Sequence, residues 1–223
     1  MPKVTLYITN HNYAKYLKKA IDSAVQQTYD DLEILIIDDG SEDGSRGIIE
    51  KYRGIENISI YYNEHQGLTR TANFAIKHAT GDLIMRLDAD DYLERNAVEV
   101  LVDYFSKHNN IAAVFPGYYV TDSNENIRQA INRKHQAYFL QPDDKEPHGA
   151  CLLIRKSVFS EVGHYNEVNC CRDGYDFWLK MRHKYRILAI PEFLFYYRKH
   201  GKNLTSNHKT IDEANEIIRA NAL

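Results

Sequence analysis

The sequence predicts an α/β fold, a mostly parallel central sheet flanked by helices, and three observations carry that prediction. Strand-like and helix-like segments alternate four times over roughly the first 90 residues, the pattern of parallel strands joined by crossover helices. The run from Leu32 to Ile37 is apolar except for Glu33, as a strand buried on both faces requires. Clusters of Asp, Asn and Thr fall at the carboxyl ends of the strands, where open parallel sheets keep their ligands.

Each element has its own signal. Val4, Leu6 and Ile8 alternate with Thr5, Tyr7 and Thr9, the period of a strand. Asn12 is placed to cap a helix, and Leu17, Ala20, Ile21, Ala24 and Val25 follow at helical spacing. The second strand ends in the turn-rich Asp38-Asp39-Gly40-Ser41. A short helix from Ser45 to Tyr52 precedes a third strand, Ile58 to Tyr62. Thr69 to Ala79 is a helix stopped by Gly81, and the fourth strand, Leu83 to Leu87, ends at Asp88. The second half is less regular. It reads as a helix from Ala97 to Asn109, a strand from Ala112 to Val120, helices at Lys156–Val162 and Tyr175–His183, a strand from Phe193 to Arg198 and a helical tail from Ile211 to Leu223. Within residues 133–149, two prolines and a run of charges between Gln141 and Pro147 predict a mobile flap. No repeat or low-complexity linker interrupts the chain, which suits a single domain over 1–223.

Composition narrows the function classes. With 28 basic and 31 acidic residues the net charge is -3, which lacks the basic footprint of a nucleic-acid binder. No apolar run reaches the ~18 residues of a transmembrane helix, and the amino terminus leads into a strand pattern instead of a signal peptide. Cys151, Cys170 and Cys171 give neither a disulfide framework nor a zinc spacing, so a reducing cytoplasm is the expected compartment. The 17 tyrosines suit half-buried strands as well as a sugar-lined cleft. Nothing in the sequence sets an oligomeric state.

Four polar clusters end the first four strands: Thr9 to Asn12, Asp38-Asp39, Asn63 to Gly67, and Asp88 to Asp91. In an extended segment the side chains at i and i+2 share a side, so Asp88 and Asp90 converge on one point. Carboxylate oxygens are hard ligands suited to Mg²⁺ or Mn²⁺, and such close acids without a cation repel one another. Asp39 can accept the ring N–H of uracil, thymine or guanine, which favours those nucleotides over adenosine; its alternative is to cap the helix that follows. Arg70 can pair with phosphate, with Asn73 three residues on and on the same face, or it is a solvated helix arginine. Asp173 and Asp176 precede an apolar helix; one can cap it while the other acts as a general base.

These residues in this order resemble the family 2 glycosyltransferases of the GT-A fold, from about Lys3 to about Thr205. The resemblance rests on Ile8 to Leu17, on Gln27-Thr28-Tyr29 and Glu33 to Ser41, and on Gly67-Leu68 with Asn73. It continues through Gly81-Asp82 with Arg86 to Asp91, Gly149 with Leu153-Ile154-Arg155, Val162 to Tyr165, and Tyr197-Arg198-Lys199-His200. It implies a nucleotide-binding half over 1–91, an acceptor-side half over 92–205 and a tail over 206–223. It implies a hexosyltransferase of polysaccharide-synthesis type that moves a sugar, with inversion, from a nucleoside diphosphate sugar, a UDP-sugar favoured. The acceptor would be a glycan, or a lipid-linked or protein-linked sugar. Thr9 and Asp39 would contact the nucleoside and Asp38 support that pocket, with His11 where the family often has a base-stacking tyrosine. Asp88 would face the ribose or donor sugar. Asp90, helped by Asp91, would hold the metal and diphosphate. Arg198 and His200 would close over the diphosphate, with His200 at the metal. Asp173 would be the base, with Asp176 its alternative. Arg70 would stand in for an arginine the family often carries just before Asn73, where this chain has Ala72. Membrane-bound acceptors would place the chain peripherally at the inner face of the membrane. Two other function classes stay in view, a metal-dependent nucleotidyltransferase or phosphohydrolase and a non-catalytic nucleotide-sugar binding module.

Overall fold

The computed structural model describes residues 1–132, 138–141, 146–168, 172–201, 203–204, 211, 214–216 and 218. Much of the expected flap, Cys170 and Cys171, and most of the expected tail lie outside the described residues. The first half runs β1 (Val4–Asn10), α1 (Ala14–Val25), β2 (Leu32–Asp39), α2 (Ser45–Ile49), a single 3-10 turn at Glu50–Tyr52, β3 (Ile58–Asn63), α3 (Leu68–His78) and β4 (Leu83–Asp88). The second half adds β5 (Tyr92–Leu93), α4 (Ala97–Lys107), β6 (Ile111–Thr121), β7 (Ile127–Ile131), β8 (Tyr138–Phe139), β9 (Leu153–Arg155), α5 (Lys156–Val162), α6 (Asp173–Met181) and β10 (Arg186–Arg198).

One sheet carries all these strands, in the order β3-β2-β1-β4-β9-β6-β10-β5, with β7 paired to β6 and β8 to β10. The first four strands are mutually parallel. Antiparallel β9 bridges β4 to β6, and β6 and β10 are again parallel. The sheet is therefore mostly parallel in its first half and mixed beyond it. Both faces are covered. One packs Val4, Leu6, Ile8, Ile34 and Ile36 against Leu17 and Ile21 of α1 and Leu101 and Phe105 of α4. The other packs Tyr7, Leu35, Ile37 and Ile84 against Ala72 and Ile76 of α3, Phe159 of α5 and Phe177 of α6. Burial on both sides explains why β2 reads as a continuous apolar run.

Some local expectations change. Asn12 does not cap α1: its backbone is left-handed at φ 61, a conformation that Asn tolerates, and its Oδ1 accepts the Glu42 N–H at 2.8 Å. The α1 N-cap is Tyr13, without a side-chain bond, and Asp43 Oδ2 accepts the Ala14 N–H at 2.9 Å. The last strand begins at Arg186, not Phe193, and passes through register shifts between Ala189 and Phe195. Pro191 lies in that irregular stretch, where a residue without an N–H is tolerated. Among the described residues no helix is long and apolar enough to cross a membrane.

Candidate active site

The chain leaves β1 for β2 and β3 on one side, then crosses back to place β4 on the other side of β1. A crevice opens where strand order reverses in this way, beyond the carboxyl ends. Thr9 of β1 is in register with Asp88 of β4, and Asn10 with Asp38 of β2. A cleft of about 720 Å³ lies there, lined by Thr9, His11, Asp39, Asp88 and Asp90 of the expected residues.

The Asp38-Asp39 end is built by turns. Asp38 is fully buried; it accepts Asn10 Nδ2–H at 2.7 Å and the Ser41 N–H at 3.2 Å, so it fixes the turn behind the cleft. Asp39 caps no helix, because the α2 N-cap is Gly44. Its carboxylate accepts the N–H groups of Gln66 and Gly67 at 3.0 and 2.9 Å, tying β2 to the loop before α3. Gly40 between them has φ +70, and a Cβ there would lie 2.6 Å from His65 N, so only glycine lets the two loops meet. His11 and His65 stack with centroids 3.9 Å apart. Both present Nδ1 to the Asp39 carbonyl, at 2.7 and 3.1 Å. That oxygen only accepts, so the neutral rings carry their protons on Nδ1. His11, Asp39 and His65 form a group that could hold a metal ion, with ligand atoms within 4.8 Å of one another.

Asp88, Ala89 and Asp90 of the acidic segment line the cleft. Asp90 Oδ2 lies 3.0 Å from His200 Nε2 and accepts Asn203 Nδ2–H at 3.1 Å. His200 is packed on Tyr16, at 4.8 Å between centroids. Asp91 is buried away from the cleft. One of its oxygens accepts the Arg198 N–H at 2.8 Å; the other is buried without a hydrogen-bond partner. Arg198 does not line the cleft either. It donates from Nε to the Asp90 carbonyl at 2.8 Å and lies over the Tyr16 and Tyr92 rings, holding the acidic loop from behind. Burial pushes all three carboxylates upward. Asp88 is raised to about 6, with Arg86 opposing and Asp90 and Asp173 reinforcing the rise. In Asp90 the His200 hydrogen bond opposes the rise. Asp91 is pushed well up, reinforced by Asp90 and Asp88. Burial and the same three acids push the Tyr13 phenol up as well. Asp88 and Asp90 beside the His200 imidazole supply the hard donor chemistry a divalent cation takes, although among the described residues the donor atoms that already converge are those of His11, Asp39 and His65.

Beneath the cleft, Asp173 opens α6 behind Arg172, whose backbone is left-handed and offers no side-chain cap. Asp173 is ion-paired with Arg86. Its neighbours Arg172 and Gly174 line the cleft while its own side chain is 7% exposed. Asp176 faces Lys180 at 2.8 Å along the same helix and is not part of the lining. Arg70 and Asn73 are not brought into the cleft. Arg70 Nε is 3.3 Å from Glu167 Oε2, and Asn73 exchanges hydrogen bonds with the Tyr165 backbone at 2.9 and 3.1 Å. They pin the segment after α5 onto α3.

Sequence reasoning passed over Arg86, Tyr13, Tyr118, His148, Tyr197 and Asn203, all of which line the cleft. Arg86 had a signal: it is a charge inside an otherwise apolar strand, and a buried charge needs a partner. His148 is surrounded by Tyr118, Phe195 and Tyr197. Burial, then Arg86, lower it to about 4. It lay inside the expected flap and carried no signal of its own.

The family model "Glycosyl transferase family 2" matches residues 5–163, and the chain belongs to that family; it is a glycosyltransferase domain. Chondroitin synthase of Escherichia coli is 27% identical over 224 residues, which is 97% of this chain and 32% of that protein. TarS 1–349 of S. aureus in complex with UDP-GlcNAc superposes with a TM-score of 0.82 at 18% identity, covering 97% of this chain and 65% of that one. The mannosyltransferase PcManGT of Pyrobaculum calidifontis, in complex with GDP-Man and Mn2+, gives 0.76 at 16% identity, covering 99% and 64%. The fold is that of these GT-A enzymes. Relatives that align over nine-tenths of this chain are longer, and it spans 32–66% of their lengths.

Proposed function

We propose that this domain transfers a sugar, with inversion, from a nucleoside diphosphate sugar to a hydroxyl of a glycan, lipid-linked or protein-linked acceptor. The observation that carries the reading is one cleft lined by Asp39, Asp88 and Asp90 together, with Asp173 held by Arg86 just behind the lining residues Arg172 and Gly174. Gly67 N–H and His65 Nδ1 lie on Asp39 Oδ2, so Oδ1, bonded to the Gln66 N–H alone, keeps a lone pair that would accept a base N–H, which favours uridine over adenosine. TarS with UDP-GlcNAc supports a UDP-sugar; PcManGT with GDP-Man makes guanosine the alternative. Likeness to chondroitin synthase supports a polysaccharide acceptor.

Asp90 and His200, backed by Asp91, would hold Mg²⁺ or Mn²⁺. Such an ion, when bound, supplies Lewis-acid stabilisation of the leaving diphosphate. Thr9 and His11 would flank the nucleoside, and Asp88 would face the donor sugar. Arg198 would act by fixing the backbone of Asp90, not by touching phosphate. Asp173 would take the acceptor proton as the hydroxyl attacks the anomeric carbon.

A thermal-shift panel of UDP, UDP-GlcNAc, GDP and GDP-Man, with and without Mn²⁺, tests the reading. A nucleotide-dependent rise that requires Mn²⁺ is expected. Asp90→Asn should abolish it, whereas Asp173→Asn should keep it and lower turnover on the order of 10²-fold or more. No metal-dependent shift with any of the four would sink the proposal.

A further inference from the structure

Arg86 is the charged residue in the middle of β4, between Met85 and Leu87, and its side chain is only 6% exposed. It meets acids from both halves of the molecule. Its Nε lies 3.0 Å from Asp88 Oδ1 on its own strand, an ion pair without hydrogen-bond alignment, its Nη2 donates a long bond to Asp88 Oδ2 at 3.5 Å, and its Nη1 donates to Asp173 Oδ2 on α6. Burial works against its charge, and the two carboxylates override burial and hold the guanidinium well above its usual value. The backbone is fixed too, since Arg86 O accepts the Cys151 N–H at 2.9 Å.

The meeting depends on two missing side chains. A Cβ at Gly174 would lie 3.0 Å from the Gly149 Cα, and a Cβ at Gly149 would lie 3.0 Å from Arg86 Nη2. A side chain at either position would push a neighbour by a few tenths of an ångström, so the two glycines give the first turn of α6 its close approach to the guanidinium.

We propose that Arg86 is a positioning residue: by gripping Asp173 and Asp88 together, it fixes the acceptor-side base relative to the donor-side acid, and Gly149 and Gly174 provide the clearance. This rests on the reading of Asp173 as the base. Arg86 occupies Oδ2, so the proton falls to Oδ1. The acceptor oxygen bonds to the anomeric carbon as its proton passes to Asp173 Oδ1. The bond from that carbon to the diphosphate oxygen breaks, and its electron pair leaves with the nucleoside diphosphate. Arg86 stays protonated throughout.

The test measures nucleoside diphosphate release from UDP-GlcNAc and from GDP-Man in Mn²⁺, using Arg86→Lys, Arg86→Met, Asp173→Asn, Gly174→Ala and the double variant R86M/D173N. Arg86→Met is expected to lower kcat about 10- to 100-fold with the donor KM within about threefold, and Gly174→Ala to follow it. Arg86→Lys should recover part of the loss. In the Asp173→Asn background, Arg86→Met should cost nothing more, because residues that act as a unit are non-additive. If the two losses multiply, if Arg86→Met raises only KM, or if it raises the rate, the proposal falls. An Asp173→Asn enzyme that turns over at the wild-type rate would instead remove the base reading on which it rests. Melting tests the grip without any donor. Arg86→Met and Asp173→Asn should each lower Tm by roughly 5–10 °C, as breaking a buried pair does, and the double variant by less than the sum; additive shifts would overturn the pairing.

Discussion

The burial of His148 among Tyr118, Phe195 and Tyr197 fixes the sign of one pH effect. Its folded value of about 4 lies below the ordinary 6.5. Below pH 6.5 the unfolded chain takes up a proton that the folded chain refuses until about pH 4. Stability from this residue is complete above pH 6.5 and is lost as pH falls across that window, on the order of 3 kcal/mol. His148→Phe should flatten the fall of Tm between pH 6.5 and 4; a variant that loses stability as steeply as the wild type would refute the assignment. The same scale separates the residues that read easily from those that did not. Asp39, Asp88 and Asp90 were legible because polar residues at strand ends have few structural reasons to cluster. Asp91, next to Asp90 in sequence, and Arg198, at the end of β10, were expected at the same site but turn behind the cleft, where backbone groups claim them. Spacing alone cannot tell which side of a loop a side chain takes. His200 reached Asp90 across 110 positions, a contact that family resemblance suggested and periodicity could not.

Among the elements, the loop between β2 and α2 carries more than its length suggests. Asp43 accepts the Ala14 N–H at the start of α1 and the Ser45 N–H at the start of α2, both at 2.9 Å, so one carboxylate serves two helices. Burial opposes its charge, and these hydrogen bonds more than offset burial and lower its value. Asp43→Ala should cost about 1–2 kcal/mol, the range of a lost cap, read as a fall in the urea midpoint with an unchanged slope; an unchanged midpoint would show that water replaces the carboxylate. This cap was illegible because the residue that serves α1 lies 29 positions after the helix start, whereas Asn12 stood in the expected place. The first four strands were legible because each carries a run or an alternation of apolar residues long enough to show a strand period. The short strands were not. β5 has two residues, too few for a period, and β7 is exposed through most of its length, so its sequence reads as loop. In β10 the irregular stretch around Pro191 hid the earlier half of a long strand.

At the scale of the whole molecule, the two halves share one sheet and one pair of cores. β9 joins β4 to β6, and Val4, Ile8 and Met85 of the first half pack in the same cluster as Leu101, Phe105 and Leu188 of the second. Each half completes its apolar faces with side chains from the other. Its repeating strand and helix pattern made the first half legible, while the second had to be placed by a sheet that no local pattern announces. This architecture predicts that the chain unfolds as one unit, although the cleft lies where the halves meet. Calorimetry should give a single transition with equal calorimetric and van't Hoff enthalpies. A donor bound with Mn²⁺ at ~100 times its Kd should add about 2.7 kcal/mol, a rise of roughly 5–11 °C for a chain of this size, and should move the whole transition. Two resolved transitions, with only the earlier or later one moved by UDP-GlcNAc and Mn²⁺, would mean that the nucleotide half folds as a separate unit. The shared cluster would then be an interface instead of a core.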